Sequence, residues 1–251
     1  MLIDTHFHLD LMKNMQPLIR DFRTADIGII AVGTTPKSFE QEKQFCSGVN
    51  NIRVALGFHP QLVAERESEI DLFLRLIKNS RYVGEIGLDF NSAYMASKEQ
   101  QTVCFRKIAR VCADEGNKVL SIHSLKATGV VIDELEKAGT FLNNICIFHW
   151  FTGNVSERRR AINAGAWFSI NSRMLKTKSG QEAIKAIPSN RLLLETDAPF
   201  NVKVESLYTL EMEMEALLNG IADLRSENVK KTIERNCNLV MSPLYCQKTL
   251  T

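Results

Sequence analysis

Five histidines and two carboxylates of this chain fall at the same kind of place, and they are all the histidines it has. His6 and His8 form the pair in Asp4-Thr5-His6-Phe7-His8. His59 closes Gly57-Phe58-His59-Pro60, His123 ends Val119-Leu120-Ser121-Ile122-His123, and His149 sits in Ile147-Phe148-His149-Trp150-Phe151. Each stands at the C-terminal end of a short apolar run that reads as a β-strand. Glu85, after Val83-Gly84, and Asp197, in Leu194-Glu195-Thr196-Asp197, occupy the same kind of position. Residues two apart in a strand share a side, so His6 and His8 can grip one ion together. One histidine is commonly a hydrogen-bonded core residue, but this many donors at strand ends form a ligand set. A mixed nitrogen and oxygen set suits Zn, Mn, Fe, Co or Ni, and Mg where few imidazoles bind each ion. Five or six donors exceed the needs of one tetrahedral zinc. They point to two divalent ions, about 3.5–4 Å apart when a carboxylate bridges them, which acidify a water and clamp the oxygens of a displacement. That chemistry serves phosphodiesters and other hydrolysable esters or amides.

The elements that must position these residues alternate along the chain. Strand-like runs lie at Leu2–His6, Gly28–Val32, Arg53–Phe58, Tyr82–Ile86, Val119–Ile122, Ile145–Phe148, Ala166–Ile170 and Arg191–Glu195. Between and after them come helical stretches: Met15–Ala25, a helix opened by Thr35-Pro36, Glu67–Lys78, Lys98–Glu115, Thr128–Lys137, Val155–Ala164, Gly180–Ile187, Ser206–Asn219 and Ser226–Leu239. Pro36 suits a first helical turn and Gly139 a left-handed stop. The strands are continuous apolar runs, as a parallel sheet covered on both faces requires. Eight βα units in 251 residues predict one α/β domain, a (β/α)₈ barrel spanning residues 1–251, with its active site at the C-terminal ends of the strands. A doubly wound open sheet offers only a switch-point crevice and brings fewer strand ends to one centre.

Composition narrows the setting. A net charge of +2 leaves no basic surface for nucleic acid, so a polynucleotide must be held locally, by the metal site and a few side chains. The six cysteines, Cys46, Cys104, Cys112, Cys146, Cys237 and Cys246, contain no Cys-x-x-Cys pair, which argues against a zinc cluster or a disulfide framework and for a reducing compartment. No apolar run approaches the roughly 20 residues that span a bilayer. The motif begins at Ile3, leaving no room for a signal peptide, and a cytoplasmic protein is expected.

Taken together, His6-Phe7-His8, Gly57-Phe58-His59-Pro60, Gly84-Glu85-Ile86-Gly87-Leu88-Asp89, His123, Phe148-His149-Trp150-Phe151-Thr152-Gly153 and Glu195-Thr196-Asp197-Ala198-Pro199-Phe200 resemble the TatD family. These are metal-dependent deoxyribonucleases of the amidohydrolase-like barrel superfamily, and the likeness runs from residue 3 to about residue 240. The resemblance implies that His6, His8, Glu85 and Asp197 hold one ion. Glu85 would bridge to a second held by His123 and His149, and Asp197 would take the proton of the attacking water. It implies that His59 contacts substrate phosphate; a loop-stiffening role beside Pro60 is the alternative. Asp89 is either a partner that orients a ligand or a loop cap.

The surroundings depart from that pattern. The family offers an arginine two residues after the histidine of the fifth strand, where this chain has Ser124-Leu125 and then Lys126. Phe90-Asn91-Ser92 replace a tyrosine and polar or basic residues, and Asn201-Val202-Lys203-Val204 looks like a shortened loop. Lys126 or Arg173 could supply the missing charge, though only arginine is bidentate to phosphate. Phe90, Trp150 and Phe151 could stack on bases, worth about 1–3 kcal/mol each, or simply pack. Arg158-Arg159-Arg160 beside Glu157 reads as a solvated helix face. The expected activity is hydrolysis of single-stranded DNA ends with two divalent ions (Mg, Mn or Zn). The compact form and altered loops look like the divergent TatD-type members of multi-gene antiphage defence systems, the Qat type especially, which implies protein partners. The rivals are a different ester or amide, such as an aminoacyl-tRNA, and a nucleotide- or DNA-binding subunit with little turnover of its own.

Overall fold

Branched and aromatic side chains dominate eight short segments, and each extends as a strand buried on both faces. The computed structural model describes residues 1–243, so Cys246 lies outside the described residues. The strands are β1 (Leu2–Phe7), β2 (Ile27–Val32), β3 (Ile52–Ala55), β4 (Tyr82–Gly87), β5 (Val119–His123), β6 (Ile145–His149), β7 (Trp167–Ile170) and β8 (Leu192–Leu194). All ladders are parallel, in the order β3-β2-β1-β8-β7-β6-β5-β4. The two ends of that sheet meet at a bridge between Leu56 and Val83, where Leu56 N–H donates to the Tyr82 carbonyl (3.0 Å) and Gly84 N–H to the Leu56 carbonyl (2.9 Å). The result is the nearly closed eight-stranded barrel that the alternation predicts.

That seam is made by small residues. Gly33 N–H donates to Gly84 O at 2.9 Å and Glu85 N–H to Gly33 O at 3.0 Å, so β2 reaches past β3 to β4. A Cβ on Gly57 would lie 1.7 Å from the Gly33 carbonyl oxygen, and only glycine permits that approach. Gly87, at φ +137°, brings β4 against the His123 carbonyl, where a Cβ would stand 2.0 Å away.

Among the described residues eleven α-helices surround the strands: α1 (Met15–Asp21), α2 (Phe39–Phe45), α3 (Val63–Arg66), α4 (Ile70–Leu76), α5 (Lys98–Glu115), α6 (Thr128–Ala138), α7 (Val155–Asn163), α8 (Ser172–Lys176), α9 (Lys178–Ala186), α10 (Leu207–Arg225) and α11 (Lys230–Met241). Asn154 and Glu157 form a reciprocal capping box on α7, and Gly139 ends α6 in the left-handed region. Some boundaries differ from those read in the sequence. α10 runs on to Arg225, past the expected stop at Asn219, and ends at a left-handed Ser226; on the way Gly220 packs so near Leu175 of α8 that a Cβ would lie 2.7 Å from it. α9 starts earlier, at Lys178, because the Thr177 side chain caps it. The five described cysteines are buried and free. Among the described residues no helix is long and apolar enough to cross a membrane.

Candidate metal centre

The C-terminal strand ends converge because the barrel is held together there by side chains as well as by the sheet. β1 and β8 share a single ladder pair, Asp4 with Leu194. The buried Asp4 carboxylate takes over the stitching, accepting from His6 N–H (3.1 Å), Thr196 N–H (3.1 Å) and the Thr196 hydroxyl. Asp197 N–H then donates to His6 O (3.0 Å) and His8 N–H to Ala198 O (2.9 Å), which sets His6, His8 and Asp197 side by side. Burial pushes the Asp4 carboxyl up to about 7, against the pull of its three donors.

Glu85, 2% exposed, is the hub. Its Oε2 lies 3.4 Å from His6 Nε2, 3.3 Å from His8 Nε2 and 3.2 Å from His59 Nε2. Its Oε1 lies 2.7 Å from His123 Nδ1 and 3.0 Å from His149 Nε2. Asp197 Oδ1 is 3.7 Å from Nε2 of both His6 and His8. One carboxylate therefore presents each oxygen to a different set of imidazoles. Burial alone would raise Glu85, but His59, His149 and His6 overcome it and hold the carboxyl well below its usual range. Burial and the neighbouring His149 keep His6 neutral, with its pKa well below the ordinary histidine value. Burial also opposes charge on His149, yet Glu85 and Glu195 carry it well above. Asp197 is pushed up to about 7 by burial, with His149 opposing and Glu195 and Glu85 adding.

Outer partners aim these groups. Ser121 Oγ lies 2.7 Å from His6 Nδ1, leaving Nε2 toward the centre. Asp89 Oδ2 is 3.1 Å from His123 Nε2 and accepts from Gln61 Nε2 (2.7 Å), while its Oδ1 accepts from Asn91 N–H (2.9 Å). Asp89 thus both orients His123 and caps the turn after β4. Glu195 is fully buried and accepts from Trp150 N–H (2.9 Å), Asn171 Nδ2 (2.9 Å) and the Ser169 hydroxyl; its Oε1 is 3.8 Å from His149 Nδ1. Trp150 sits at φ +40°, strained for an aromatic residue, and the Glu195 bond holds it there. Sequence reasoning passed over Ser121, Gln61, Asp4 and Glu195 as ligand partners. A carboxylate within an apolar strand run was the available signal for Asp4 and Glu195.

Divalent ions fit this donor set. His6, His8 and Glu85 bring one ligand atom each within 4.8 Å of one another, as do His59, Glu85 and His123, and His6, His149 and Glu195. His59 differs in one respect. Its Nδ1 accepts from Gln61 N–H (3.2 Å), so the neutral ring carries its proton on Nε2, a donor rather than a ligand.

A cavity of about 250 Å³ opens above Glu85 and Asp197, walled by His8, His59, His123, His149, Leu125, Trp150 and Phe200 among others. The structure sorts the expected substrate contacts. His59 lines the cavity. Arg173 is exposed and lies over the Trp150 ring (5.3 Å), one residue from His149. Lys126, in the left-handed region at φ +54°, is exposed and is not on the cavity wall. Phe90 is a correction: it is 5% exposed, covered by Lys98, and not on the cavity wall. Phe151 is buried between Phe148 and Phe168. Phe200, 61% exposed and edge-on to His8 at 5.1 Å, is the aromatic that sequence reasoning left unassigned. Leu125, where a cation was expected, faces the cavity, and Asn201 ties its loop to the Thr196 carbonyl (3.1 Å). Arg160 is spent on Asp133 and Glu136 at the surface.

Known proteins resemble this chain in sequence and in fold. A human protein named deoxyribonuclease TATDN3 is 25% identical across 93% of this chain and 90% of its own length. The "uncharacterized metal-dependent hydrolase YabD" of Bacillus subtilis is 26% identical across 94% of this chain and all of its own. The solved structure of YjjV, a TatD homologue from Escherichia coli, superposes with a TM-score of 0.81 at 19% identity, covering 95% of this chain and 97% of that one. The model of TatD related DNase matches residues 3–242, and the chain belongs to that family.

Proposed function

We propose that this chain is a two-metal phosphodiesterase that removes nucleotides from single-stranded DNA ends. The observation that carries the reading is the two-sided Glu85: one oxygen faces His6, His8 and His59, the other His123 and His149, as a bridging ligand requires. With Asp197 these residues would hold two divalent ions, Mg, Mn or Zn, which supply an activated water and charge neutralisation when bound. The relatives named deoxyribonucleases support the choice of bond.

The chain's own residues then do three things. Asp197, walling the cavity, would receive the proton of the attacking water at a carboxyl oxygen. His59 Nε2, which lies 3.2 Å from Glu85 Oε2, would turn its N–H to a phosphate oxygen from the cavity wall. Arg173, stacked on the cavity-lining Trp150 but not itself on the cavity wall, would provide from outside it the guanidinium that Leu125 does not. A role in a multi-gene defence system, with partner proteins, belongs to the same proposal and rests on the loop departures alone.

The test pairs metal content per chain with Mg- or Mn-dependent degradation of a labelled single-stranded oligonucleotide by wild type and Asp197→Asn. The expected kcat loss is about 10²–10⁴-fold. Metal present with no degradation by wild type would overturn the stand-alone nuclease and favour another ester, an amide or a binding role.

A further inference from the structure

Beside the metal cavity a second depression crosses the barrel rim. This groove, about 520 Å³, has Leu11 and Lys13 on one wall and Pro199, Lys203, Val204 and Glu205 on the other. Its walls are the segments that leave two metal-site residues. The turn carrying Leu11 returns to His8, with Leu11 N–H donating to His8 O at 3.2 Å. The second wall leaves Asp197, whose carbonyl accepts from Phe200 N–H at 2.8 Å. Asn14 Nδ2 bonds the Glu205 carbonyl at 2.8 Å and stitches the walls together. Phe200 lines the metal cavity while its neighbour Pro199 lines the groove, so the two depressions share one ridge.

Charge says what suits the groove. No lysine or arginine lines the metal cavity. Lys13 and Lys203 are exposed and make no ion pair among the described residues, and Glu205 is the one acid beside them. The groove is apolar with two lysines against one glutamate, which suits the phosphate backbone of a single strand, and none of its lining residues is an aromatic on which a base would stack.

We propose that the groove binds the continuing part of a single-stranded polynucleotide whose end lies over the metal centre, with Lys13 and Lys203 on its phosphates. The proposal rests on the phosphodiesterase reading. It makes the enzyme length-sensitive: a dinucleotide occupies the metal cavity only, and a longer strand occupies both.

The experiment compares KM for a dinucleotide and for an oligonucleotide of about ten nucleotides, within the range single-strand sites cover. The proteins are metal-loaded wild type, the Lys13→Ala/Lys203→Ala double variant and Glu205→Gln. Lys13, Lys203 and Glu205 are all exposed, so both variants keep the fold. In the double variant KM should rise for the long strand and stay unchanged for the dinucleotide. Its dependence on log salt should be shallower by about 0.7 per lysine removed. Glu205→Gln should lower KM for the long strand alone. Equal effects on both substrates, or none on either, overturn the groove while leaving the phosphodiesterase reading intact. If wild type cleaves neither substrate, that reading falls, and fluorescence anisotropy of the labelled long strand on the same proteins decides the groove. Salt-sensitive binding lost with the lysines retains it; binding that is absent or indifferent to them overturns it.

Discussion

Glu195 offers a perturbation whose consequences can be worked from the structure. The carboxylate is fully buried and satisfies Trp150 N–H, the Asn171 amide and the Ser169 hydroxyl, while facing His149 Nδ1. Glu195→Ala leaves three donors without an acceptor in a closed interior. Each costs about 1–3 kcal/mol, so the loss is at least roughly 3 kcal/mol, a fall in Tm of about 6–12 °C for a chain of this size. Glu195→Gln behaves differently. Its carbonyl oxygen still accepts from Trp150 and Asn171, and the Ser169 hydroxyl turns to accept from the new NH₂, so stability should change by less than about 1 kcal/mol. What glutamine removes is the charge beside His149. Losing an outer carboxylate of this kind typically costs about 10–100-fold in metal affinity. Thermal unfolding of the three metal-free proteins, with calorimetric Mn titration of each, separates the effects. Equal destabilisation by alanine and glutamine would refute the hydrogen-bond account. Wild-type Mn affinity in Glu195→Gln would refute the electrostatic one.

Three further outcomes are expected. A chelator should abolish hydrolysis and lower Tm, and Mn should restore both saturably, because ions that bind only the folded donor set stabilise it by mass action; an unchanged Tm after chelation counts against a metal centre. Glu42 is buried with both carboxyl oxygens unpartnered, and burial, with Asp10 adding, pushes it up to about 9 from 4.5. Its folded pKa is raised, so its contribution to stability is full below about 4.5 and declines by about 1.4 kcal/mol per pH unit toward 9. Wild type should therefore lose Tm relative to Glu42→Gln between about pH 5 and 8, and parallel curves would contradict the assignment. Finally, Leu125→Arg places a guanidinium on the cavity wall. If the substrate is a phosphodiester, kcat/KM on an oligonucleotide should rise, by about tenfold for 1.4 kcal/mol of added phosphate contact; a fall on oligonucleotides with a gain on neutral esters points to the other bond.

Much of this protein is written locally. Strand ends are marked by apolar runs that stop at His6, Glu85, His123, His149 and Asp197, because a parallel strand buried on both faces must be apolar until it reaches solvent. The same locality places His6 and His8 on one side of one strand. Other features needed the closed barrel. The two faces of Glu85 arise because β1 and β5 stand across from each other once the glycine seam joins β3 to β4. The proton of His59 is placed by the Gln61 N–H, a contact made by loop geometry. The aromatics were beyond sequence reading for the same reason. Phe90, Phe151, Trp150 and Phe200 all follow strand ends, yet only Trp150 and Phe200 reach the cavity. Left-handed backbone follows the strand at both Trp150 and Asp197, yet the next ring is buried in one case, Phe151, and exposed in the other, Phe200, so only the packing of the following loop decides. Periodicity fixes a side chain's face within an element, but the angle at which elements meet fixes what that face looks upon.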